Sequence, residues 1–169
     1  MLKRNTIFIM FIGVMLISCE DDEPTNPPPT LSLSSSSSSI TVGGSTTLSV
    51  ELANMEASVF GVSMQISYYA TVVEVDTTSG FVQGGYFGPN AISLFETVDD
   101  TVHFSISAIQ GDAMVNGTGT ICVFEVTGLS SGTSPFTIVP EEIYFIDANG
   151  SKVDIIGLEV GDLTITVSE

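Results

Sequence analysis

The chain has 169 residues, enough for one domain plus a leader, and carries 20 acidic residues against three basic ones, a formal net charge of −17. All of the carboxylates lie at or after Glu20, while Lys3 and Arg4 precede Cys19; a chain cut before Cys19 keeps only Lys152 and a net charge of 1 − 20 = −19. Such a surface repels nucleic-acid phosphates and anionic membrane faces, so it excludes a nucleic-acid partner and suits either solubility outside the cell or attraction of a basic partner.

The first segment is a leader. Lys3 and Arg4 are followed by an unbroken apolar run over 7–17. That run is shorter than the about 20 residues a membrane span needs, but it fits the apolar stretch of a signal peptide. It ends in Leu16-Ile17-Ser18-Cys19, which resembles the lipobox of bacterial lipoproteins. The resemblance implies removal of residues 1–18, diacylglycerol on the Cys19 thiol and an acylated new amino terminus. The protein is then expected in the bacterial cell envelope, lipid-anchored at the outer membrane or cell surface. Glu20-Asp21-Asp22-Glu23 is similar to the sorting signals of surface-exposed lipoproteins. Residues 19–30 contain Pro24, Pro27, Pro28 and Pro29. They are predicted to form an acidic, extended and disordered tether of about 3.1 Å per residue.

The domain is expected over 31–169, and its elements follow in order. Leu31, Leu33, Ile40 and Val42 flank a run of six serines and predict one interrupted edge strand over 31–42. Gly43-Gly44 is a turn. Leu48, Val50 and Leu52 alternate with polar residues in a second strand. Val62, Met64, Ile66 and Tyr68 alternate with Gly61, Ser63, Gln65 and Ser67, which predicts a long strand with one buried face. Val72, Val73 and Val75 form a fourth. Gly84, Gly85, Gly88 and Pro89 mark a loop. A strand over 91–98 turns at Asp99-Asp100 into Val102, Phe104, Ile106 and Ala108, which alternate with His103, Ser105 and Ser107. After a polar loop over 111–119, Cys122, Phe124 and Val126 share a strand face. Phe136 and Ile138 follow. Strands over 143–146 and 153–156 flank the turn Asp147-Ala148-Asn149-Gly150. Leu163, Ile165 and Val167 close the chain, and are expected beside the first strand. About nine strands with no helical period between them predict an all-β sandwich or jelly roll.

Several stretches together resemble a cohesin domain over residues 31–169. They are Thr47-Leu48-Ser49-Val50-Glu51-Leu52-Ala53-Asn54, Phe60-Gly61-Val62-Ser63-Met64-Gln65-Ile66-Ser67-Tyr68, Val72-Val73-Glu74-Val75 with Gly80 beyond, and Gly117-Thr118-Gly119-Thr120-Ile121-Cys122-Val123-Phe124-Glu125-Val126. The resemblance implies a nine-stranded jelly-roll β-sandwich. It implies a dockerin-type module as partner, in systems that assemble polysaccharide-degrading enzymes. Many cohesins carry Asp after the Tyr of the third strand, where this chain has Tyr69. In the family the dockerin lies on one sheet face. Carried over by alternation, that face offers Ser63, Gln65, Ser67, His103, Ser105 and Ser107. Small hydroxyls and an amide suit a reversible interface.

Two alternatives stand beside this reading. The first is a carbohydrate-binding module of related fold, with Tyr86 and Phe87 of the Gly-rich loop as the best stacking pair for a polysaccharide. The second is a structural surface lipoprotein with no discrete ligand. No catalytic residue is expected: His103 is the sole histidine and no G-x-S-x-G motif occurs. No cofactor is expected either. Once Cys19 is set aside, Cys122 is the only cysteine and is expected as a buried thiol. From Asp147 on, Gly is fourth and Leu158 twelfth. A calcium loop wants Gly sixth and Glu twelfth, so the stretch reads as an Asn-Gly hairpin turn and no metal site is expected.

Overall fold

The computed structural model describes residues 26–169. The leader, Cys19 and the first part of the tether lie outside the described residues. Among the described residues there are strands and one short 3-10 turn, Pro140–Glu142, and no α-helix.

Two sheets pack face to face. The first contains β1 (Thr30–Ser35), β3 (Ser45–Val59), β5 (Val73–Val75), β6 (Phe81–Gln83), β9 (Val115–Gly128) and β13 (Glu159–Gly161). Its order is β13-β1-β3-β9-β5, and β6 continues the β5 edge along β9. The second contains β2 (Ser39–Thr41), β4 (Gly61–Ser67), β7 (Ile92–Val98), β8 (Thr101–Ser107), β10 (Gly132–Ile138), β11 (Tyr144–Ile146), β12 (Lys152–Val153) and β14 (Leu163–Ser168). Here β7 pairs β8 and β8 pairs β4. The far side of β4 takes β10 at one end and β11 at the other. Joining the split pairs β5/β6 and β10/β11, each in line along one neighbour, leaves ten strands, with β12 and β13 as short additions.

Alternation explains the core. Leu48, Val50 and Leu52 of β3, Val62, Met64 and Ile66 of β4, and Phe124 and Val126 of β9 are all buried. Each lies on one parity of its strand, so the two inner faces fill the space between the sheets. The aromatic rings are continuous across that space. Phe81 stacks on Phe95 at 4.6 Å, Phe95 meets Phe124 at 5.3 Å, and Phe124 meets Phe136 at 6.5 Å.

The structure corrects the sequence in three places. Residues 31–42 are not one edge strand: β1 lies inside the first sheet, between β13 and β3, and β2 lies in the second. The serine run is the crossing between layers. There the buried Thr46 hydroxyl donates to Ser37 O at 2.9 Å and accepts from Ser37 N at 3.0 Å. These bonds satisfy backbone groups that neither ladder reaches. The second strand runs to Val59 because irregularities carry it past Asn54, whose φ is 57°. A bulge shifts parity, so the alternation read from sequence stops where the strand does not. For the same reason β9 starts at Val115, inside the expected polar loop. The closing strand β14 does lie beside the first expected strand: it pairs in parallel with β2.

Phe124 is fully buried at the centre of the aromatic series. Phe124→Ala is expected to lower unfolding free energy by about 3–5 kcal/mol. Ser49→Ala, on the outer side of β3, is expected to change it by less than about 0.5 kcal/mol. Urea titration followed by circular dichroism checks both.

Candidate functional site

The outer face of the second sheet is built in rows across β7, β8, β4 and β11. Ile92, Ser107, Gly61 and Ile146 form the first row, and Leu94, Ser105, Ser63 and Tyr144 the second. Glu96, His103 and Gln65 form the third. Val98, Thr101, Ser67 and Thr137 of β10 form the fourth. All six residues assigned to the partner face, Ser63, Gln65, Ser67, His103, Ser105 and Ser107, share this outer face and are partly exposed.

Hydrogen bonds hold parts of the face in place. Ser105 Oγ donates to Ser63 Oγ at 2.8 Å, and Ser67 Oγ to Thr137 O at 3.4 Å. Gln65 Nε2 donates to a Glu142 carboxylate oxygen at 3.4 Å. The first two rows flank a shallow groove of about 470 Å³, lined by Ser63, Ile92, Leu94, Ser105, Tyr144 and Ile146 among others. Next to it, Gln65, Glu96, His103 and Glu142 border a smaller hollow of about 210 Å³. At one rim Lys152, the only basic residue among those described, lies 5.9 Å from the Tyr144 ring centroid and 3.1 Å from the Asp154 carboxylate. The face therefore offers apolar area over the first two rows and carboxylates beside the third.

Sequence reasoning missed the apolar half of this surface. Ile92, Leu94 and Val98 are 66%, 59% and 51% exposed, and Tyr144 is 44% exposed. The signal was present in β7, where apolar residues occupy both parities: Phe95 on one and Ile92, Leu94 and Val98 on the other. A strand that is apolar on both sides is either buried twice or exposes one apolar side. Glu96, on the same parity as Leu94, marks the exposed side.

The glycan-stacking assignment is corrected. Tyr86 and Phe87 are buried, edge to face with ring centroids 5.0 Å apart. They leave no open ring face for a sugar. Gly84 makes this possible: a Cβ there would lie 2.1 Å from Thr120 O, so only glycine lets the loop pass so close to β9 and turn Tyr86 inward. The Tyr86 hydroxyl has no hydrogen-bond partner, and burial pushes its pKa up to about 12.

Cys122 is fully buried in the core, and burial pushes its thiol pKa up. Asp147 to Gly150 is a hairpin turn between β11 and β12. Asp147 Oδ1 accepts from Asn149 N and Ser151 N, both at 2.8 Å, and these bonds, the Ser151 amide first, hold the carboxyl pKa below its usual range. Among the described residues no group of three or more His, Cys, Asp or Glu side chains is placed to hold a metal ion.

No family model and no curated protein matches the chain by sequence. Solved structures do match. A type II cohesin domain from the cellulosome of Acetivibrio cellulolyticus has a TM-score of 0.69 at 18% identity, covering 82% of this chain and 95% of that one. A non-cellulosomal cohesin from the archaeon Archaeoglobus fulgidus has a TM-score of 0.65 at 16% identity, covering 85% and 93%. A third cohesin from Acetivibrio cellulolyticus, solved in complex with a dockerin, has a TM-score of 0.67 at 11% identity, covering 83% and 99%. The likeness shows the fold: this chain is an all-β, two-sheet sandwich of the cohesin kind.

Tyr86→Phe removes a buried hydroxyl that satisfies nothing, so it is expected to leave stability unchanged or raise it by about 1 kcal/mol in urea titration. In the parent, a phenol raised above its ordinary value near 10 contributes stability that is intact below that pH. That contribution is lost as pH rises through about 12. The alkaline melting transition of Tyr86→Phe is therefore expected to lie higher than the parent's.

Proposed function

We propose that the outer face of β7, β8, β4 and β11 docks a protein module of the dockerin kind. On this reading the chain is a non-catalytic binding module. It recruits its partner to the cell envelope, where Cys19 is lipidated, and serves polysaccharide degradation. The observation that carries the proposal is the four-row face itself, with exposed aliphatic side chains beside small hydroxyls and an amide on rigid strands. Exposed apolar area next to small hydrogen-bonding groups is common in reversible protein interfaces. The fold supports the reading, because a cohesin of the same architecture is solved with a dockerin bound. The carbohydrate-binding alternative loses its stacking pair to the core.

The test is binding of purified, calcium-loaded dockerins to the chain on a biosensor. Gln65→Arg with Ser105→Arg is expected to weaken binding on the order of a hundredfold, through charge and bulk at the middle of the face. Its thermal melt is expected to match the parent's. Unchanged affinity in the double variant excludes this face. In detergent partitioning the parent is expected in the detergent phase and Cys19→Ala in the aqueous phase; equal partitioning overturns the anchor.

A further inference from the structure

We propose that β7 is a pairing edge through which two copies of this chain join their second sheets, antiparallel about Phe95. This inference does not rest on the docking reading. The other outermost strands are short: β2, β5, β6 and β13 have three residues each and β12 has two. The turn over 76–80 also separates β5 from β6, with Asp76 Oδ1 accepting from Thr78 N and Ser79 N. By contrast, β7 is seven residues long, Ile92-Ser93-Leu94-Phe95-Glu96-Thr97-Val98, and its only strand partner is β8. Among the described residues no backbone hydrogen bond reaches it from another element. It contains no Pro, Gly or Lys and no bulge, the devices that normally keep a sheet edge from pairing.

The side chains select a second copy of this chain as the occupant. Phe95 is the middle residue of β7, so a two-fold axis there is the one register that pairs all seven residues. It sets Ile92 against Val98 of the second copy at both ends, and these are two of the most exposed aliphatic side chains of the face. Ser93 meets Thr97 on the inner side. Leu94 meets Glu96, so no like charges stand directly opposite. The two Glu96 residues fall on a diagonal, about 7–8 Å apart and somewhat closer at Cβ. Asp99 and Asp100 lie beyond the paired stretch. Because the whole chain is strongly negative, salt should tighten the pair by screening.

Sedimentation velocity of the full-length chain at rising concentration tests this. A monomer-to-dimer shift is expected, stronger at high salt. Ile92→Lys with Val98→Lys is expected to weaken association on the order of tenfold, and Glu96→Gln to tighten it about two- to threefold. Parent and variants share residues 1–25, so their difference reports β7 alone. The register is read by mild oxidation in a Cys19→Ala background. Leu94→Cys mixed with Glu96→Cys is expected to cross-link, and neither with itself. A chain that stays monomeric to about millimolar concentration overturns the proposal. So does a dimer indifferent to both edge variants, or one that cross-links in another register.

Discussion

The outer face depends on where one phenylalanine points. Phe95 turns inward, stacks on Phe81 and reaches Phe124 in the opposite sheet. A strand has a side-chain period of two, so the position of one residue fixes the side of all the others. With Phe95 packed against the core, Ser93 and Thr97 follow it inward, and Ile92, Leu94, Glu96 and Val98 must face out. By count of aliphatic residues the opposite arrangement looks better. It loses because the ring spans the gap between the sheets and meets two other rings, where the smaller chains would leave a void. Aromatic packing in the core thus produces the apolar outer surface.

Most of the architecture was legible in the sequence, and the limits have a physical cause. Alternation in β4 and β8 is clean because one face of each is dry and the other wet, so Ser63, Gln65, Ser105 and Ser107 could be assigned outward by parity alone. Where the backbone leaves regular geometry, parity carries no information. The irregularities in β3 hid its second half, and the three-residue β6 is too short to show a period. Tyr86 and Phe87 misled for a different reason. Neighbouring aromatics in a Gly-rich loop look like an exposed platform, and only the approach of Gly84 to Thr120 shows that the loop dives into the core.

The serines illustrate how a linker-like composition can be structural. A low-complexity polar run is ordinarily a flexible connector. Here it bridges the two layers, and Thr46 supplies the hydrogen bonds that the crossing needs. Ser36 takes part too, through a hydroxyl contact to Thr46 at 3.0 Å. Small side chains suit the position because the chain must pass over the end of the core without filling it.

The start of the domain is tied to one layer. Pro29 O accepts from Glu159 N, Pro28 O accepts from Asn54 Nδ2, and Thr30 opens β1. All of these belong to the first sheet, so residues 28–30 are held on the layer opposite the rows of β7, β8 and β4. The wall bearing Leu94, Ser105 and Ser63 belongs to the other layer, so the hydrogen bonds that fix residues 28–30 leave it uncovered.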